Sequence, residues 1–185
     1  MVGDPLPVRE GLSAPMIFNL IGFQIGWFSC VLGGANQLPW FGVLLSAMIL
    51  LIHIKRAAHP AMEARLIFCA LIIGLIFDGV LLNLHWIAFA PTPHWPDQLP
   101  PPWMVVLWGL FASTINISLA WLQHKRVMAI LIGAIAGPVA YWSGARLGGL
   151  QLTQPIAALI YLSIGWALAV PVLFKIAALL NTEKS

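Results

Sequence analysis

The sequence predicts an all-α fold, a polytopic membrane bundle of six transmembrane helices with both termini in the cytoplasm. Hydrophobic residues make up 61% of the 185-residue chain and charged residues only 8%, whereas soluble domains carry about 25% charged residues. Six apolar stretches, each roughly long enough to cross a bilayer, are separated by short polar segments. The predicted domains are a cytoplasmic segment at 1–15, a six-helix transmembrane domain at 16–175 and a cytoplasmic tail at 176–185.

The distribution of basic residues sets the predicted orientation. If the six stretches alternate in direction, the segments on one side hold eight Lys and Arg residues, and the other side holds only Arg146. Short loops rich in Lys and Arg stay in the cytoplasm, so the first side is assigned as cytoplasmic. The eight residues are Arg9, Lys55, Arg56, Arg65, Lys125, Arg126, Lys175 and Lys184.

Each helix has a boundary signal in the sequence. Lys55 and Arg56 end the second helix, and Pro60 disfavours helix just before it, which predicts a loop at 55–65. Six prolines within residues 91–102 predict a stiff, extended connection that could act as a lid over the outer opening. The predicted helices cover residues 16–34, 40–54, 66–89, 103–122, 127–147 and 155–175.

Small residues predict the faces on which the helices pack, because membrane helices associate through close contact of small side chains. The first helix offers Gly22 and Gly26 in a GxxxG arrangement, and the fifth offers Gly133 and Gly137. These faces can hold helices together within the chain or form a homodimer. Pro138 removes a backbone hydrogen bond inside the fifth helix, which predicts a kink and free carbonyl groups there.

Tryptophan is concentrated toward the predicted outer side. An aromatic belt at the membrane interface explains such residues, but a belt does not require one side to hold so many more tryptophans than the other. The alternative is an aromatic rim around a hydrophobic ligand. Trp121 alone lies at the inner surface, and the outer set is Trp40, Trp86, Trp95, Trp103, Trp108 and Trp142.

Asp78 is the clearest candidate for a functional residue, because ionisable side chains inside a membrane are costly. It lies about twelve residues into the predicted third helix, roughly 18 Å from the cytoplasmic edge and near the midplane. His85 lies seven residues further on, on the same face, so the two are candidate catalytic residues that form an acid–base pair. The alternative is that Asp78 is a hydrogen-bond hub that orients the third, fourth and fifth helices. By depth, its candidate donors are Gln24, Ser113, Thr114 and Tyr141.

Other polar and aromatic residues are candidates for ligand binding. Arg146 would hold an anionic group such as a fatty-acid carboxylate or a phosphate, or would only snorkel to the outer interface. Tyr141 and Trp108 lie in the outer half of the membrane near it. Asn116 and Asn19 belong to a second polar set on the inner side, where hydrogen bonds between helices are the alternative role. That inner set comprises Asn19, Asn116 and His53.

Neither a metal site nor a cofactor is predicted. The five histidines show no HxxxH or HxxHH spacing, and the chain has no CxxC, P-loop or Gly-x-Ser-x-Gly motif. No lysine within a span is placed to form a retinal Schiff base. The net charge of +3 lies mostly on the cytoplasmic loops, which suits anionic lipid headgroups rather than nucleic acid. The predicted partners are therefore membrane lipids and a small hydrophobic ligand, without nucleic acid.

Several segments together carry a family resemblance: the stretch from Asn19 to Trp27, Asp78 after its apolar run, the stretch from Trp103 to Trp121, and above all the stretch from Gly137 to Gly148. These segments resemble a bacterial family of small integral membrane proteins classed only as a domain of unknown function. The resemblance spans roughly residues 16–170 and implies a location in the bacterial inner membrane. Genes of such families often lie beside photolyase and cyclopropane-fatty-acid-synthase-like genes. By association, this implies a role in membrane-lipid modification or photo-oxidative stress.

Three functions follow from these observations. The first is binding of a lipid or small hydrophobic molecule in support of lipid modification or the stress response. The second is an intramembrane enzyme that uses Asp78 and His85, and the third is a small transporter or a transporter subunit. The outer aromatic rim, the polar residues of the outer half and the kinked fifth helix favour the first, and whether the protein is an enzyme stays open.

Overall fold

The computed structural model describes residues 13–182, and this part of the chain consists of helices joined by turns and loops, with one pair of two-residue strands. The predicted all-α class is therefore confirmed. Arg9, Lys184 and nearly all of the predicted cytoplasmic segment 1–15 lie outside the described residues. The helices are α1 (Ala14–Ala35), α2 (Pro39–Arg56), α3 (Pro60–Asn83), α4 (Pro102–Ile115), α5 (Arg126–Arg146) and α6 (Pro155–Thr182). The strands are β1 (Ile87–Ala88) and β2 (Gln151–Leu152), and a 3-10 turn covers Ala120–Leu122.

Five of the helices in the described region, all except α4, are long and apolar enough to cross a membrane. These five helices indicate a multi-pass membrane protein. α4 has 14 residues, which is about 21 Å at 1.5 Å per residue, less than the roughly 30 Å of a hydrocarbon core. The predicted fourth helix, 103–122, was too long, because the chain turns after Ile115 and the Thr114 carbonyl accepts the Leu119 backbone N–H at 2.8 Å.

Hydrogen bonds between the connections define two ends of the bundle. At one end, here called the loop end, β1 pairs with β2, and the Trp40 indole donates to the Pro93 carbonyl at 3.2 Å. At the opposite end, here called the polar end, side chains of His53, Glu63 and Asn116 are hydrogen-bonded together. The connections therefore alternate between the two ends, and each helix, including the short α4, runs from one end to the other.

α3 begins and ends six residues earlier than predicted. Pro60 lies in its first turn, where the missing backbone N–H leaves no helical hydrogen bond unmade. At the other end the backbone turns at His85, which has a positive φ of 56°. Asp78 therefore lies eighteen positions from Pro60 but only five from Asn83, about 27 Å and 8 Å along the helix axis. Along α3, Asp78 therefore lies closer to the loop end than to the polar end, and its depth near the midplane of a membrane stays a prediction.

α4 lies at the centre of the bundle, in contact with α1, α2, α3 and α6. Its Trp103 and Trp108 are each only 1% exposed, so neither belongs to an interfacial belt, in contrast to Trp40 and Trp142, which are 39% and 52% exposed. α5 packs mainly against α6. A gap is therefore left between α1 and α5.

Both predicted glycine faces are used within the chain. Gly26 lies against Leu110 of α4 and Ser46 of α2, and Gly133 lies against the backbone carbonyl of Trp166 in α6. Close approach of this kind is the usual role of small residues between membrane helices. A homodimer through these faces stays a prediction.

Pro138 lies inside α5, as the sequence requires. A proline at this position leaves the Ala134 carbonyl, four residues earlier, without its helical donor. The Ser163 hydroxyl of α6 donates to this carbonyl at 2.7 Å. A bond from the neighbouring helix thus replaces the missing one, and it fixes α5 to α6.

Candidate functional site

A groove of about 880 Å³ opens between α1 and α5, and α4 forms its floor. This volume lies within the roughly 300–1,000 Å³ typical of pockets for small ligands. The lining is almost entirely apolar and rich in aromatic rings. These rings come from all four contributing helices and include Trp27, Phe28, Trp103, Trp108, Trp142 and Trp166. On α5 the lining extends from Ile132 to Arg146, a distance of about 21 Å along the helix axis.

Asp78 lies directly behind the groove wall and is 0% exposed. One carboxylate oxygen, Oδ2, accepts the Trp108 indole N–H at 2.9 Å, and the other, Oδ1, accepts the Tyr141 hydroxyl. Trp108 and Tyr141 both line the groove, whereas Asp78 does not. One side chain of α3 is thus bonded to α4 and α5, which is the geometry expected of a hub that orients these three helices.

The local sequence explains how Trp108 reaches Asp78. Gly74 lies one turn before Asp78 on α3 and in contact with the Trp108 indole, so that a side chain at position 74 would displace the ring. On its opposite face the indole stacks on Trp166, with ring centroids 4.5 Å apart and an interplanar angle of 18°. Phe77 meets the same indole edge-on at 5.3 Å. The floor of the groove is therefore a fixed stack of rings supported by one carboxylate.

The structure does not bring His85 to Asp78. His85 lies two residues beyond α3, its side chain is exposed, and its carbonyl accepts the Thr153 hydroxyl at 2.5 Å. The prediction that the two share a helix face required a helix that continued to residue 89, and α3 ends at Asn83. The predicted acid–base pair is therefore not assembled.

Arg146 is the last residue of α5 and lies at the loop end of the groove. Its guanidinium lies over the exposed ring of Trp142, 5.8 Å from the ring centroid. Within residues 13–182 no carboxylate lies within ion-pair distance of Arg146. The groove thus has one unneutralised positive charge at its mouth.

Two further polar groups on the groove lining lack a partner. Gln24 of α1 is exposed on the groove wall, and in the described region its amide makes no hydrogen bond. The Trp166 indole N–H is buried and likewise has no acceptor. Gln24, Ser113 and Thr114 were candidate donors for Asp78, and the structure uses none of them. The two hydroxyls instead donate to carbonyls of their own helix, at 2.7 Å and 2.6 Å.

Asn116 lies outside the groove, at the polar end. Its amide donates to Glu63 Oε1 at 2.7 Å and accepts from the Gln123 amide at 3.1 Å. The other Glu63 oxygen lies 3.0 Å from His53 Nε2. The sequence predicts one inner polar set that includes His53 and Asn116, but it places Glu63, which joins them, in a loop, because α3 starts six residues earlier than expected.

Asn19 also lies outside the groove and joins α1 to the end of α4. Its amide donates to the Ser113 carbonyl at 3.0 Å, and its oxygen accepts the Ser118 hydroxyl at 2.5 Å. Asn19 and Asn116 thus make the hydrogen bonds between helices that were the alternative to ligand binding. Within the described region, no group of three or more His, Cys, Asp or Glu residues could hold a metal ion.

The fold and the groove together define a multi-pass helical membrane protein with a lateral apolar site. Comparison with known families assigns it further: the family model described as "Protein of unknown function (DUF2878)" matches residues 16–172, and the chain belongs to this family. No curated protein and no solved structure matches the chain. The predicted resemblance to a family of unknown function is therefore confirmed, and the function has to be argued from the groove.

Proposed function

We propose that this protein binds one lipid or small hydrophobic molecule in the groove between α1 and α5. The observation that carries this proposal is the size of the groove in a chain of this length. Ligand sites in proteins are concave, mostly apolar clefts that carry a few polar groups. A space of about 880 Å³ lined by aromatic rings is better explained by an occupant than by loose packing.

The surroundings of the groove favour an occupant from the bilayer. α1 and α5 expose large apolar side chains beside the groove, among them Ile25 and Ile135, which are 50% and 66% exposed. Exposed apolar surface of this extent is stable in lipid rather than in water. Since the groove opens between these two helices, a hydrophobic molecule can enter it sideways from the membrane.

The topology that we propose has six crossings, with both termini in the cytoplasm of a bacterium. The connections at the polar end hold Lys55, Arg56, Lys125 and Arg126, and the loop end holds Arg146, as expected if the polar end is cytoplasmic. α4 completes its crossing through the turns that follow Ile115. Cysteine labelling from outside intact cells should modify a cysteine placed at Gln98 but not one placed at His124, and the reverse pattern would refute this orientation.

A role in membrane-lipid modification or photo-oxidative stress is the physiological setting that the family resemblance suggests. It predicts that a strain without this gene has an altered lipid profile by mass spectrometry, with a larger difference in light than in darkness. If the deletion strain and its parent have identical lipid profiles in light and in darkness, this physiological role is refuted, but ligand binding is not. The alternatives, an enzyme with Asp78 and His85 or a transporter, gain no support from the side-chain geometry.

Neighbouring positions on α5 allow a matched test of binding. Ala136 lines the groove, Ile135 does not, and both are exposed. Ala136→Trp fills part of the groove, whereas Ile135→Trp adds a comparable side chain on the lipid-facing side. Native mass spectrometry of protein extracted from membranes should show a bound amphiphile with the wild type and Ile135→Trp, and much less with Ala136→Trp. Equal occupancy in all three proteins, or no adduct in any, would refute the proposal.

A further inference from the structure

We infer that the ligand of the groove is a single-chain anionic amphiphile, with its head group at Arg146 and its chain along the α4 floor toward Leu122. This inference rests on the proposed function and adds the chemical class and the orientation of the ligand. Its basis is the distribution of charge along the groove, the geometry at Arg146, and the size of the space.

The charge on the groove lining lies at one end. Among the described residues that line it, Arg146 is the only charged one, and none is Asp or Glu. A ligand that complements this lining has one negative end and an otherwise apolar body. A neutral hydrophobic molecule would leave the guanidinium without a counter-charge at the mouth.

The position of Arg146 suits an anion. A cation at the end of a helix is favourable because it faces the negative end of the helix dipole, and this explains a basic residue at the end of α5 wherever its side chain points. It does not explain a side chain that lies over Trp142 and lines the groove. A guanidinium held over a ring keeps its in-plane N–H groups free to donate to a carboxylate or phosphate in bidentate fashion.

The length and volume of the groove suit one chain. From Arg146 to Ile132 the groove extends about 21 Å, which exceeds the roughly 15 Å depth of one leaflet. The volume of about 880 Å³ lies in the upper part of the roughly 300–1,000 Å³ range of pockets that hold small ligands. A long-chain fatty acid or a lysophospholipid is a ligand of this size class, whereas a two-chain phospholipid is larger.

The test compares probes that share one chain and differ in their head group. Binding of hexadecanoate, hexadecanol and hexadecylamine to the full-length protein in detergent micelles is measured by native mass spectrometry, at a pH that keeps the carboxylate ionised. Dihexadecanoyl phosphatidylglycerol serves as the two-chain anionic probe. Hexadecanoate should bind at least tenfold more tightly than the neutral and the cationic probe, and also more tightly than the two-chain lipid.

Variants locate the head group. Arg146→Gln should weaken hexadecanoate binding by about tenfold or more, the effect of losing a hydrogen bond between charged groups, and should leave hexadecanol binding unchanged. Arg146→Lys should restore part of the loss, since it keeps the charge but not the fork of donors. The matched control is Lys125→Gln, which removes a cation 5.0 Å from the ring centroid of Trp121 at the polar end. It should leave hexadecanoate binding unchanged.

The outcomes separate this inference from the proposed function. If hexadecanoate and hexadecanol bind equally well and Arg146→Gln has no effect, the anionic head group is refuted while ligand binding stands. If the two-chain lipid binds as tightly as hexadecanoate, the single-chain assignment is refuted. If no probe binds and Ala136→Trp does not reduce the amount of bound amphiphile, the proposed function itself is refuted.

Discussion

Replacing Asp78 by Leu is expected to destabilise the bundle, and replacing it by Asn should not. Asp78 is fully buried, and its two oxygens accept from Trp108 and Tyr141. Leu removes both acceptors and leaves two buried donors without a partner. Asn keeps one acceptor for the indole N–H, and its NH₂ group can donate to the Tyr141 hydroxyl, because a hydroxyl also accepts. The two variants therefore separate the hydrogen bonds from the charge.

The expected loss of unfolding free energy follows from the two hydrogen bonds to Asp78. Hydrogen bonds between membrane helices contribute about 0.6 kcal/mol on average and up to about 1.7 kcal/mol each, so Asp78→Leu should lower the free energy of unfolding by about 1–3 kcal/mol. Tyr141→Phe removes the donor of one bond. In the double variant, Phe also removes the hydroxyl that Leu left unpaired, so the combined loss should be smaller than the sum of the two single losses by about 0.6–1.7 kcal/mol.

The assay is equilibrium unfolding in mixed detergent micelles, titrated with sodium dodecyl sulfate and followed by far-ultraviolet circular dichroism. His85→Ala serves as the control, because its side chain is exposed and lies beyond the end of α3. It should change the unfolding free energy by less than about 0.5 kcal/mol. The argument is refuted if Asp78→Leu is as stable as His85→Ala, or if the losses of Asp78→Leu and Tyr141→Phe simply add.

Two further predictions concern the helices around this hub. Ser163→Ala removes the bond to the carbonyl that Pro138 frees and should cost about 1 kcal/mol in the same titration; a change no larger than that of His85→Ala would show that α5 does not depend on this bond. Gly74→Val places a side chain where the Trp108 indole lies, which should cost about 1–3 kcal/mol by overpacking and reduce the near-ultraviolet dichroism of the tryptophans. An unchanged near-ultraviolet spectrum would contradict the assigned contact between Gly74 and Trp108.

The apolar stretches and the basic loops predict the helices well, because both signals are summed over many residues. Boundaries fail where a single residue has two possible effects. Pro60 disfavours helix before it and favours a helix start at its own position, and the structure uses the second effect. That choice brings Glu63 into α3, whereas His85 is outside the helix because the backbone turns there with a positive φ of 56°.

The site is partly predictable from the sequence. An ionisable residue in an apolar helix is conspicuous, and the sequence indicates Asp78, Trp108 and Tyr141 as candidates without any knowledge of the fold. The contribution of Trp166 was not predictable, because an aromatic residue within an apolar helix looks the same whether it faces lipid, a neighbouring helix or a groove. Its position depends on the packing of α5 against α6, which no short-range pattern contains.

The serine bond that fixes α5 to α6 has a consequence for how a molecule enters. α5 is bonded to α6 through Ser163 and to α3 through Tyr141 and Asp78, so the α5 side of the groove is fixed to the rest of the bundle. α1 has no such bond to α5 among the described residues. A hydrophobic molecule can therefore reach the groove from the bilayer between these two helices while the bonds that hold α5 stay intact.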